Sequence, residues 1–275
     1  LKLFQTTGSF RTFEIENFCI MALFKSGNPT LTEKMFNKSL QAEADMQGTM
    51  SVRGTINKFG FMMLMVIAGA AYTWNLFEQL NEGLMYTLMI VGAIGGLITA
   101  LVITFKPTWA RFLAPAYGIL EGFFIGGLSA VMNAAFADQY PGLIMQAVGL
   151  TFGVAIAMFL LYNFRIINAT QKFKSVVIGA TMGIAIFYLI TMVLRLFGVN
   201  VSFMYDSSWL SIGISLFVVS IAALNLIMDF DMIEKGSEIG APKHMEWYGA
   251  FGLMVTIVWL YIEILRLLSK LGSRD

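Results

Sequence analysis

The chain has 275 residues, 57% of them hydrophobic and only 13% charged, with a net charge of +1 and a mean hydropathy of +0.74. Soluble domains run at about 45–50% apolar and about 25% charged, so this balance excludes an ordinary soluble domain and leaves no basic footprint for nucleic acid. A single cysteine, Cys19, and a single histidine, His244, exclude an internal disulfide and any Cys/His metal centre, which needs about four such ligands.

Residues 1–58 are polar, carry Lys25, Lys34, Lys38, Arg53 and Lys58, and lack the apolar core of a secretion signal. They are expected to form a cytoplasmic tail. Met21, followed by Ala-Leu-Phe-Lys-Ser-Gly-Asn-Pro, is a plausible natural start, which would make residues 1–20 an upstream extension.

Seven apolar stretches follow, at Gly60 to Phe77, Leu84 to Phe105, Phe112 to Phe136, Leu143 to Phe164, Ser175 to Phe197, Ser208 to Met228 and Trp247 to Leu268. Each approaches the roughly 20 residues that cross a bilayer as helix. The expected fold is an all-α membrane protein: a seven-helix bundle over residues 59–269 with a short C-terminal tail at 270–275. The second, fourth and sixth loops hold Lys106, Arg111, Arg165, Lys172, Lys174, Lys235 and Lys243, whereas the first, third and fifth hold Glu78, Glu82, Asp138 and Asp206 and no basic residue. Positive charge stays inside, which puts the N-terminus in the cytoplasm. Lys270 and Arg274 at the far end run against that rule.

Glycines four apart occur in successive segments: Gly92 and Gly96, Gly122 and Gly126, Gly149 and Gly153, Gly179 and Gly183. This spacing lets helix backbones approach closely; ordinary packing explains it without a ligand. Glu121, about midway through the third segment, should be neutral or face Arg, Asn or water. Arg195 closes the fifth segment.

The sixth segment carries a polar or small stripe, Ser211, Ser215, Ala222, Asn225 and Asp229, and the seventh offers Glu246, Gly249, Gly252, Thr256 and Glu263 on a comparable face. Meeting faces would form a polar seam with Asp229 and Glu246 at its cytoplasmic mouth. Two acids held close in low dielectric can share a proton, or can meet a hard cation such as calcium weakly. Asp231, Glu234 and Glu238 read as a solvated loop face, with Asp231 able to pair with Lys235 at i+4. Glu263 should pair with Arg266 at i+3 and reach the depth of Arg195, as a structural pair or as a gate. His244 reads as a solvated loop histidine, with a pH-sensing role as the alternative.

Seven segments, Tyr117-Gly-Ile-Leu-Glu-Gly-Phe-Phe-Ile-Gly-Gly in the third, Ala223-Leu-Asn-Leu-Ile-Met-Asp-Phe-Asp-Met-Ile closing the sixth and Leu260-Tyr-Ile-Glu-Ile-Leu-Arg-Leu-Leu in the seventh together resemble the Bax inhibitor-1/YccA-like family, over roughly residues 50 to 275. The resemblance implies a bundle with the last helix central, acting as a pH-sensitive calcium leak through a pair of acids. Asp229 matches the first acid of that pair. The place of the second, near Trp259, is apolar here, so Glu246 or Glu263 would substitute for it.

The resulting expectation is a multipass protein of a bacterial cytoplasmic membrane that passes calcium slowly under proton control, with Asp229 a weak, transient calcium ligand and no cofactor. No nucleophilic or paired-histidine arrangement points to an enzyme. The alternatives are an interaction protein that modulates a membrane protease or a stress response, and a proton-coupled transporter, for which inverted repeats are not evident.

Overall fold

A computed structural model describes residues 48–198 and 206–273. The expectations resting on Cys19, Lys25, Lys34, Lys38, Arg274 and a start at Met21 lie outside the described residues. The described chain forms seven long helices: α1 Val52–Glu78, α2 Glu82–Phe105, α3 Ala110–Phe136, α4 Leu143–Asn163, α5 Gln171–Leu196, α6 Trp209–Glu238 and α7 Met245–Gly272. A short 3-10 turn, Pro107–Trp109, leads into α3. All seven helices are long and apolar enough to cross a membrane, and the only β feature among the described residues is an isolated bridge between Thr49 and Pro242.

Several helices outrun their apolar windows. Helix α1 begins at Val52, where the Ser51 side chain accepts from Gly54 N at 3.0 Å and so caps the first turn. Helix α6 continues past Met228 to Glu238. Hydropathy stops at the first charges, but a helix leaving the hydrocarbon carries charges without penalty once they are partnered. The acids expected in a solvated loop are therefore helical, and the α6–α7 connection shrinks to residues 239–244. Helix α7 likewise runs through Lys270, which belongs to the bundle and not to a tail.

Helix α7 is the most enclosed element. Of its most apolar window 67% is buried, against 11% for α5, and it packs on α6, α1, α4 and α3. Helices α1, α2 and α3 form a tight group of their own, whereas α5 leans chiefly on α6. The strap before α1 clips onto the α6–α7 loop: Met50 N donates to Ala241 O at 2.6 Å, and Lys243 N donates to Gly48 O at 3.2 Å.

The glycine spacing divides sharply. A Cβ at Gly122 would fall 2.4 Å from Val66 O of α1, and one at Gly92 would fall 2.4 Å from Leu120 O of α3. These are real backbone crossings. At Gly149, Gly153, Gly179 and Gly183 a Cβ would meet nothing within 4 Å, so the same motif there closes no contact within the described chain.

Candidate functional site

Because α6 extends to Glu238, its acids are presented at fixed helical angles to α4 and α5. Asp231 is buried, and its Oδ2 accepts from Lys174 Nζ of α5 at 2.6 Å and from Lys235 Nζ one turn on at 2.8 Å. The expected i+4 pair is present. Lys174, assigned from sequence to a loop, is itself only 2% exposed. Glu234 accepts from the Tyr162 hydroxyl of α4 and, at 2.6 Å, from Arg165. Glu238 is exposed. The acid cluster is thus largely neutralised by cations that sequence order had placed in separate loops.

Glu246, the second residue of α7, is fully buried. Its carboxylate accepts from Ser51 N at 3.0 Å, Ser51 Oγ at 2.9 Å, Lys243 Nζ at 2.7 Å and Lys58 Nζ. The positive end of the helix dipole adds to this stabilisation. Gly54 lies directly beneath: a Cβ there would sit 2.2 Å from Glu246 Oε1. These contacts tie the strap and the start of α1 to the start of α7. His244, expected in solvent, is buried at 7% exposure, because the strap covers the short loop that carries it.

At the opposite end Glu263 is 1% exposed. The Tyr188 hydroxyl of α5 donates to it at 3.0 and 3.2 Å, and Arg266 Nη1 donates to it at 3.1 and 3.0 Å and to the Tyr188 oxygen at 2.6 Å. The expected Glu263–Arg266 pair is therefore part of a triad. Tyr188 was missed because a tyrosine in an apolar segment reads as packing. Arg195 lies seven residues farther along α5, in its exposed last turn. Removing the hydroxyl, as in Tyr188→Phe, should cost about 1.5–3 kcal/mol, the usual worth of bonds to charged groups. Unfolding in detergent micelles measures this, and wild-type stability would show that the hydroxyl holds nothing.

The stripe on α6 does meet α7 near its start, but through a cation. Lys270 Nζ donates to Ser215 Oγ at 2.8 Å and to Ser211 O at 3.3 Å, and the lysine is 6% exposed. Farther along, Asn225 Nδ2 donates to Thr181 Oγ1 of α5 and to Ile221 O, both at 2.8 Å. Asn225 is turned towards α5.

Asp229 is fully buried on α6. It lies nine residues before the end of that helix, about 14 Å at 1.5 Å per residue, and so deeper than Glu246. Counting the same distance into α7 reaches Leu253 and Met254, both buried and apolar. The two acids expected together at one mouth are therefore set at different depths. Glu121 faces Gly96 of α2, where a Cβ would come 2.9 Å from its Oε2, and has Tyr117 one turn away as its polar neighbour. It belongs to the α1–α2–α3 group. Among the described residues no three His, Cys, Asp or Glu side chains come together as a metal cage.

Seven membrane-crossing helices, with acids buried inside the bundle and bracketed by ion pairs at both ends, define a multipass membrane protein with an ionisable interior. The sequence matches the family model described as Bax inhibitor 1 like over residues 28–273, and the chain belongs to that family. A comparison with individually curated proteins finds no match.

Proposed function

We propose that the protein is a slow, proton-controlled cation leak, with calcium the permeant ion and Asp229 the group whose protonation decides passage. The observation that carries this reading is the complete burial of Asp229 in a membrane-crossing helix, where a charged carboxylate is costly and is retained chiefly for function. A passing cation needs ionised oxygens, so protonation of Asp229 closes the path and its deprotonation opens it. Glu246 and Glu263, each held by cations, bracket the path at its two ends and hold the helices in register. Among the described residues no three acids gather to store calcium, which suits brief contact during a leak.

In this reading the protein lies in a bacterial cytoplasmic membrane with the strap and the 239–244 loop facing the cytoplasm. Support comes from Lys58, Lys106, Arg111, Arg165, Lys172, Lys174, Lys235 and Lys243, all at one end of the helices. Purified protein in phosphatidylcholine vesicles loaded with a calcium dye tests the proposal. The expected result is a slow calcium flux that increases as pH rises. Absence of flux at every pH would overturn it and favour a protein that works by binding a membrane partner.

A further inference from the structure

A cavity of about 310 Å³ lies among α1, α3, α4 and α7, apart from the acids described above. Its lining falls in the C-terminal halves of α1 and α3, the N-terminal half of α4 and the middle of α7. Because α4 runs opposite to the other three, the α1, α3 and α4 stretches coincide in the half of the bundle towards the α3–α4 connection, and α7 closes the space near mid-depth. The cavity therefore reaches from the middle of the bundle towards that end. Ile67 and Phe152, 52% and 42% exposed, stand at its side, and the medium they face is lipid.

The walls offer water almost nothing. Ser129 Oγ is bonded to Ile125 O at 2.6 Å and to the Tyr261 hydroxyl at 2.7 Å, and Thr151 Oγ1 is bonded to Ala147 O at 2.7 Å. Trp74 Nε1 donates to Glu78 Oε1 at 2.8 Å, leaving its ring to the cavity. Apolar cavities whose polar atoms are already satisfied stay dry, and an empty one forfeits the dispersion contacts of its lining. The space equals about ten groups of water or methylene size at about 30 Å³ each.

We infer that this cavity is a lipid site that takes one acyl chain of a phospholipid from the surrounding bilayer, entering between α1 and α4. The inference is independent of the role given to Asp229. A phosphatidylcholine with a photoactivatable diazirine in its acyl chain, present at trace level in phosphatidylcholine vesicles, tests it when labelled residues are mapped by mass spectrometry. Labelling should reach Ser129 and Val258, which are 4% and 6% exposed and which no lipid touches from outside. Val148→Phe, which fills the cavity, should lower that interior labelling about tenfold, equivalent to about 1.4 kcal/mol of binding, while labelling at Leu189 on the exposed side of α5 stays constant. Constant Leu189 labelling also reports an intact fold; if Val148→Phe disturbs it, Ala71→Phe at the exposed margin decides. Labelling confined to exposed residues, or interior labelling unchanged by the substitution that leaves Leu189 intact, would overturn the inference.

Discussion

Glu246→Ala is expected to destabilise the protein by about 1.5–3 kcal/mol, the usual worth of hydrogen bonds to a charged group, since Lys58 and Lys243 keep access to solvent. The substitution leaves Lys58 and Lys243 confronting each other and takes the acceptor from Ser51 N and Ser51 Oγ. It also unclips the strap and α1 from α7. Glu246→Gln should cost less, since an amide oxygen still accepts from Ser51. Gly54→Ala should cost less than Glu246→Ala, because the added methyl, 2.2 Å from Oε1, obliges a flexible carboxylate to shift and loosens its bonds without removing them. Equilibrium unfolding in mixed micelles measures all three. A loss within the roughly 0.5 kcal/mol of an ordinary surface substitution for Glu246→Ala would contradict the pinning role.

The glycines supply the second large effect, as a contrast. Gly122→Ala and Gly92→Ala place a methyl 2.4 Å from backbone carbonyl oxygens on the facing helix. Backbone cannot swing aside as a flexible side chain can, so each should cost at least the roughly 1–3 kcal/mol of an overpacked core. Gly149→Ala and Gly179→Ala meet open space and should be neutral, or stabilising by up to about 1 kcal/mol through helix propensity. The same unfolding assay separates the pairs. Equal losses at all four positions would mean that the α1–α2–α3 crossings are not where these helices touch.

Much of the architecture was legible because hydropathy reports the hydrocarbon slab directly. The starts or ends of α2, α3 and α4 at Phe105, Phe136 and Leu143 fall where the apolar runs begin or stop. The first turns of α1 and the last turns of α6 were not legible, since residues beyond the slab are helical through capping and ion pairing. The site was legible in kind but not in pairing. Charge patterning marked Asp229, Asp231, Glu246 and Glu263, and i+3 and i+4 spacing found Arg266 and Lys235. Partners far apart in sequence carry no local signal: Lys58 lies 188 residues from Glu246, Tyr188 75 from Glu263 and Lys174 57 from Asp231. Nor can spacing say which way a side chain turns, as Asn225 shows by facing Thr181 of α5.

Calcium flux into vesicles, followed across pH for the wild type, Asp229→Asn and Glu263→Gln, tests the central claim most directly. Asparagine keeps the size of Asp229 but cannot exchange a proton, so Asp229→Asn should flatten the pH profile, while Glu263→Gln, outside the proposed switch, should alter the rate yet keep the alkaline rise. An Asp229→Asn protein whose flux climbs with pH as steeply as the wild type would contradict the account.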